Sequence, residues 1–291
     1  LYTRAIRQVV ANCLYGADIN DMAVEMCKLS LWLVSLDRDL PFSFVDDKVF
    51  HGNSLLGLTQ QRQLERLHIN PPVVTPGYVQ DGWSFSAEDN ALVHLFENVK
   101  LEERLASAIR RRRSLLHPVE PTNPQRDGAA MRRQTDEARE VVAPLAQMAD
   151  GVVAAGLRLG GKPGKALDAA FEDLRLAAKT AWPDQGKGDD RWLARIAAEG
   201  LKPTVDTDEP RWRPLHWVLE VPDVMTGSRP GFDAVIGNPP FLGGKKVSGA
   251  IGSNAREWLV NQLADGAKGN ADLVAYFFLR AQGLLKERGT V

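Results

Sequence analysis

The dipeptide Pro239-Pro240 forbids continuation of any strand or helix, and it follows the most strand-like run in the chain. Each proline fixes φ and removes a backbone donor. The run Phe232-Asp233-Ala234-Val235-Ile236-Gly237 reads as a buried strand, and it must stop at Asn238. The corner Asn238-Pro239-Pro240-Phe241 is therefore stiff and turns carbonyl oxygens outward. Asn238 adds a side-chain acceptor and Phe241 a flat apolar face. Two acceptors beside a ring suit a planar amine. The plain alternative is a turn with no chemistry, because Asn-Pro-Pro is good turn sequence anywhere.

The rest of the chain divides by periodicity. Residues 1–12 read as the end of a helix, and 13–19 as a strand with Asp18 near its carboxyl end. Asn20 or Asp21 can cap the next helix, whose Met22, Val24, Met26, Leu29, Leu31, Trp32, Leu33 and Leu36 predict a well-buried element ending at 37–41. A short strand at 48–51 runs into Gly52-Asn53-Ser54-Leu55-Leu56. Strand, helix and strand at this spacing predict a parallel α/β unit. From about 60 to 212, helix formers and charge dominate, with helices expected at 91–116, 131–158 and 165–182 and turn-rich connectors at 117–128 and 160–164. Strands are expected again at 215–221 and 232–237. A Gly- and Lys-rich loop at 242–252 then precedes helices at 254–263 and 272–287, and 289–291 reads as another strand beginning.

Composition sets loose bounds. A chain of 291 residues, 44% hydrophobic, can bury a substantial core. The net charge of −1 announces no global positive field, although a groove can be basic while the whole is neutral. Cys13 and Cys27 stand in no metal or redox spacing and read as reduced, buried thiols of a cytoplasmic protein. No metal site is expected. No apolar stretch reads as a membrane span and no signal-peptide pattern opens the chain.

The corner resembles the Asn/Asp-Pro-Pro-aromatic motif of amino-group methyltransferases that use S-adenosylmethionine. Further segments sharpen the likeness: Leu14-Tyr15-Gly16-Ala17-Asp18-Ile19 with the helix after it, His51-Gly52-Asn53-Ser54-Leu55-Leu56, His216-Trp217, and Gly269-Asn270-Ala271-Asp272-Leu273. As a set they resemble the N6-adenine DNA methyltransferases of type IIG restriction-modification enzymes and related phage-defence systems. The resemblance implies an α/β fold, a partial doubly wound, Rossmann-like methyltransferase sheet interrupted by a large, mainly helical insertion. Residues 1–59 would form the first part of the core, 60–212 the insertion, and 213–291 the second part with the reactive corner.

The likeness also assigns roles. In doubly wound sheets ligands bind beyond the carboxyl ends of strands, where Asp18, Asn53 and Asn238 are expected. Asp18 would hold the ribose of S-adenosylmethionine, Ile19 would lie on its adenine ring, and Asn53, where many relatives carry Asp, would contact that adenine. Asn238 and the Pro239 carbonyl would accept the two hydrogens of a target amine, with Pro240 stiffening the corner and Phe241 stacking on the base. The partner implied is double-stranded DNA, with restriction or defence-system subunits beside it and no membrane. Release-factor glutamine methyltransferases share the Asn-Pro-Pro-Tyr chemistry, so protein glutamine or RNA is the other substrate class. A non-catalytic DNA-binding scaffold is the third reading. The Gly-rich cofactor loop that should precede Asp18 is missing, so this piece is expected to be inactive by itself.

Some features stay two-sided. Asp18 can be a helix N-cap or a surface carboxylate, Ile19 simply core, and Asp272 is best read as a helix cap. Lys245 and Lys246 beside the corner suit phosphates or a lid without contacts. Arg110-Arg111-Arg112-Arg113 suits phosphates or, more simply, a solvated helix face. Gly156 to Lys162 has phosphate-loop spacing, but Pro163 replaces the required Ser or Thr. Trp182, Trp192, Trp212 and Trp217 read as core anchors.

Overall fold

The computed structural model describes residues 2–35, 45–71, 95–115, 128–207, 210–267 and 269–291. The expected helix end at 37–41, Leu36, residues 91–94 and 116, and the connector at 117–127 lie outside them. Helix α1 (Tyr2–Cys13) leads into strand β1 (Gly16–Asp18), helix α2 (Asp21–Val34) and strand β2 (Val49–His51). β1 and β2 pair in parallel, Gly16 opposite Val49 and Asp18 opposite His51. The cap of α2 is Asn20, whose Oδ1 accepts from the Ala23 amide at 3.1 Å.

A short helix α3 (Gln61–Glu65) opens the helical region. It continues with α4 (Leu101–Leu115), α5 (Gly128–Leu157), α6 (Lys165–Ala181) and α7 (Arg191–Gly200). Within α5, Met131–Leu157 is long and apolar enough to cross a membrane, which the sequence reading had not expected of any stretch. Here Leu145, Met148, Val152 and Val153 are instead fully buried against the helices around them. Gly200 meets the Ala154 backbone so closely that a Cβ would lie 2.3 Å from the carbonyl oxygen, which fixes how tightly α5 and α7 cross. The core formed this way is continuous with Phe50, Leu55, Trp217 and Leu284 of the flanking segments. Trp212 and Trp217 are buried and Trp182 and Trp192 pack on the same core, as anchors should.

The strand expected at 215–221 is absent. Asn53 and Pro214 make an isolated parallel bridge, after which the chain coils into α8 (Trp217–Glu220) and α9 (Pro222–Met225). Leu215, Trp217, Val218, Leu219 and Val221 are all buried, and a short run buried on every side has no period to tell strand from helix. Strand β3 (Phe232–Ala234) then precedes the proline corner. The stretch expected as a loop at 242–252 holds a helix, α10 (Gly244–Ile251), followed by α11 (Ser253–Leu263). The four glycines of 242–252 hid a helical spacing that buries Val247 and half-buries Ile251. Helix α12 (Leu273–Leu284) ends three residues earlier than expected and passes directly into β4 (Leu285–Thr290), which pairs with β3 in parallel around a bulge. Apolar residues at the helix end and β4's first residue form one unbroken run, so the sequence gives no sign of the switch.

Two further expectations fail. The face of α2 carrying Met22, Met26, Leu29 and Leu33 is exposed, and Val24 is the element's buried residue. The hydrophobicity was legible, but among the described residues nothing packs over that side. Cys13 and Cys27 are both free thiols in exposed positions, for α1 and α2 turn them outward. The four-arginine run is also not a simple solvated face. Arg112 is buried, its Nε 2.5 Å from Asp223 Oδ1 on α9, with Asp47 at 3.8 Å. Lys48 binds Asp47 at 2.9 Å and lies over the Tyr15 ring. Burial and the Asp223 charge push the Tyr15 phenol up to about 12.

Candidate functional site

The starts of three strands are gathered at one place. Tyr15, just before β1, meets Phe232 at the start of β3 with ring centroids 5.8 Å apart. Trp217 stands edge-on to both Phe50 of β2 and Phe232. The residues singled out in sequence follow the opposite, carboxyl ends of these strands.

Asp18 ends β1 with its side chain exposed. One carboxylate oxygen accepts from the Asn20 amide at 2.8 Å, which aims the group and leaves Oδ2 open. Asp18 therefore does not cap α2; Asn20 does. Ile19 is exposed beside it rather than core, and its carbonyl lies 2.9 Å from His51 Nε2. A carbonyl only accepts, so His51 carries its proton on Nε2 and offers Nδ1 as an acceptor. The Gly52 amide donates to the Asp18 carbonyl at 2.9 Å, which brings Asn53 next to Asp18 and Ile19. Asn53 Oδ1 accepts from the Leu55 amide at 3.0 Å, leaving the amide hydrogens to donate outward. Cys27 is near enough that Asp18, after burial, contributes to raising its thiol pKa.

The Asn53 segment is held from behind. Its amide donates to the Arg213 carbonyl at 2.6 Å, its carbonyl accepts from Leu215 at 3.1 Å, and the Leu58 amide donates to His216 Nδ1 at 3.2 Å. Gly57 sits against the Leu215 carbonyl so closely that a Cβ would fall 1.5 Å from the oxygen. His216 in turn faces Asp150 of α5 through Nε2 at 3.1 Å. This neighbourhood explains the His216-Trp217 pair picked out in sequence: the His braces the Asn53 loop and the Trp packs the strand starts.

The corner after β3 is open to solvent. Ile236 is 97% and Phe241 79% exposed, and Asn238 and Pro240 are exposed as well. The Asn238 side chain makes no hydrogen bond among the described residues, so its acceptor is uncommitted. Pro239 is half-buried. What fixes the corner is Asp272. Its Oδ1 accepts from the Val274 amide at 3.1 Å, as the cap of α12, and from the Leu242 amide at 3.0 Å, one residue past Phe241. The Leu242 carbonyl accepts from Leu273 at 3.2 Å. Gly244 completes the clamp, since a Cβ there would lie 2.1 Å from the Asn270 carbonyl oxygen. Asp272 was legible only as a cap; its second partner is thirty residues upstream, beyond any local pattern. Lys245 and Lys246 are exposed in the first turn of α10, next to the corner.

Among the described residues no hydrogen bond or ring contact joins Asp18, Ile19 or Asn53 directly to Asn238 or Phe241. A second-layer link does exist and had no sequence signal. Arg280, buried on α12, donates to the Leu55 carbonyl at 2.5 Å, so the helix that holds the corner also holds the Asn53 segment. No carboxylate faces it among the described residues, and burial draws its pKa down to about 10, still charged at neutrality.

The glycines at 156–162 do not form a phosphate cradle. Gly156 packs on Trp258, and the Gly160 and Gly161 carbonyls accept from Asn261 and Gln262. Among the described residues no group of three or more His, Cys, Asp or Glu could hold a metal.

Known proteins resemble this chain in sequence. A protein of Methanocaldococcus jannaschii, named as a type II restriction enzyme and methyltransferase, is 24% identical over 244 residues. That match takes in 80% of this chain and 18% of the relative, so the chain spans about a fifth of the length of the curated relative it matches. No solved structure matches. Residues 12–291, which hold both halves of the site, match the sequence profile of the Eco57I restriction-modification methylases, and the chain belongs to that family.

Proposed function

We propose that this chain is the methyl-transfer portion of a restriction-modification enzyme that acts on N6 of adenine in double-stranded DNA, with S-adenosylmethionine as donor. Restriction or phage defence in the cytoplasm is the setting, with defence subunits as further partners, and a partial doubly wound sheet is the scaffold. The observation that carries the reading is the exposed, doubly clamped corner whose Asn238 acceptor is uncommitted while Phe241 stands 79% exposed beside it.

The donor set fits the cofactor in part. Asp18 offers a free carboxylate oxygen for ribose hydroxyls, Ile19 an exposed apolar face for the adenine ring, and Asn53 two amide hydrogens for a ring nitrogen. When bound, the cofactor supplies an electrophilic methyl on a sulfonium. Everything else falls to the protein. Asn238 Oδ1 and the Pro239 carbonyl accept the two hydrogens of the target amine, which shifts the nitrogen toward tetrahedral geometry and localises its lone pair. The same preorganised acceptors stabilise charge that develops on nitrogen. A base inside a duplex cannot reach this corner and must be flipped out, costing a few kcal/mol. Stacking on Phe241, worth about 1–3 kcal/mol, offsets part of that. Lys245 and Lys246 would meet the flanking phosphates.

The test uses the full-length polypeptide, methyl-labelled S-adenosylmethionine and unmethylated duplex, followed by digestion to nucleosides. Label should appear as N6-methyladenine. Asn238→Ala should lower transfer at least about 100-fold, with cofactor binding by calorimetry unchanged. Label found in RNA, in glutamine side chains or in cytosine, and absent from adenine of DNA, overturns the proposal.

A further inference from the structure

Between the Asn53 loop and α5 lies a hollow of about 340 Å3, lined by Asp150, Pro210, Arg211, Trp212, Arg213 and Pro214. Trp212 and Leu215 are buried, whereas Arg211 and Arg213 are exposed. Arg211 turns to Asp150 of α5 and Arg213 to His51 at the end of β2. The backbone is pinned along its length. Trp212 donates to the Leu201 carbonyl at 2.8 Å, and Asn53 and Leu215 bond across it on the other side. Pro210 and Pro214 fix φ at both ends.

Among the described residues the charges do not cancel. Asp150 Oδ2 accepts from Arg211 at 2.7 Å, and its Oδ1 faces His216. Arg213 has no carboxylate within ion-pair distance among the described residues. Its neighbour is His51 Nδ1 at 3.5 Å, the nitrogen that the Ile19 carbonyl leaves unprotonated. An exposed guanidinium, carried on backbone that is bonded to Asn53, therefore stands beside His51, two residues after the ion-paired Arg211. It stands at the carboxyl rim where the reacting groups are proposed to lie.

We propose that Arg213, with Arg211 as its neighbour, binds the phosphodiester backbone of the DNA whose adenine is presented to Asn238; this rests on the functional reading above. The contact carries no sequence information. It fixes the duplex in register. Asp150 limits the grip by holding Arg211.

Binding of the full-length polypeptide to a labelled duplex, followed by anisotropy between 50 and 200 mM salt, tests this. Losing one phosphate contact reduces the slope of log affinity against log salt by about 0.9, a loss on the order of tenfold in affinity at 0.1 M. Arg213→Gln should do this equally on specific and unrelated duplexes, while its thermal midpoint stays that of the parent. Asp150→Asn should act in the opposite direction, strengthening binding and steepening the slope. Inorganic phosphate at millimolar levels should compete weakly and alike in parent and variant; competition lost only in Arg213→Gln would assign the site to free phosphate and overturn the proposal. An unchanged slope in a folded Arg213→Gln, with Lys245→Gln altered, overturns this inference and leaves the functional reading intact. Failure of the parent to bind DNA at all overturns both.

Discussion

Asp272 serves two amides with one oxygen, and this makes it the residue whose loss should separate positioning from binding. Asp272→Ala removes the cap of α12 and the tether on Leu242 together. A cap alone is worth about 1 kcal/mol, so the fold should survive. The expected result is a fall in kcat of roughly tenfold or more with cofactor affinity unchanged, restored in large part by Asp272→Asn, which keeps the acceptor. If Asp272→Asn is as impaired as Asp272→Ala, the tether is not what matters. Tyr15 supplies a residue-scale pH signature. Its folded-state pKa is raised from 10 to about 12, chiefly by burial. The stability linked to this group is full below pH 10 and is lost as pH rises toward 12, roughly 2 to 3 kcal/mol in all. Denaturant midpoints at pH 9 and pH 11 should therefore diverge more in the parent than in Tyr15→Phe; equal divergence would remove Tyr15 from the account. At this scale the sequence was informative where chemistry is local. Asn238, Phe241 and Asp18 could be picked by type and context, and all three are exposed where a ligand can reach them. Arg280 and His216 could not be assigned their roles, because each acts through a partner more than 150 positions away.

Between β2 and α3 the loop carrying Asn53 has no regular structure of its own, and it depends on the 213–216 backbone pressed against it. Gly57 is where the two meet most closely. Adding a methyl there would place Cβ 1.5 Å from a carbonyl oxygen that the surrounding bonds hold in place. Overpacking usually costs about 1–3 kcal/mol, and here a backbone atom must move, so Gly57→Ala should lie at or beyond the upper end. Thermal melting checks this; a shift of less than a degree or two would mean that the loop gives way easily. Such contacts explain which elements were legible. An amphipathic helix such as α6 announces itself by spacing, as does the β1–α2–β2 unit, whereas α7 was not picked out. The 215–221 run did not, because every side chain is buried and the period disappears. The start of β4 was hidden because Leu284 and Leu285 pass from helix to strand with no turn residue between them.

Across the whole molecule, the helical region and the two flanking segments share one hydrophobic core rather than meeting at a thin joint. Arg112, Asp223, Asp47 and Lys48 tie α4 to the strand starts from within that core. Truncating a partner of a buried pair typically costs about 3–5 kcal/mol, since the remaining charge is left without compensation. Arg112→Ala should lower the stability of helical region and strands together, in a single transition seen alike by far-UV dichroism and tryptophan fluorescence. Separate transitions would show that the two parts fold independently. The parallel β1–α2–β2 unit was readable from where strand and helix periods alternate, yet the sequence could not say which apolar faces find a partner. Met22, Met26, Leu29 and Leu33 recur on one side of α2, and all four are exposed among the described residues. A surface so greasy seldom stays solitary in solution. Produced as these 291 residues, the polypeptide should therefore self-associate as concentration rises, and charged replacements at Met26 and Leu33 should keep it dispersed in light-scattering measurements.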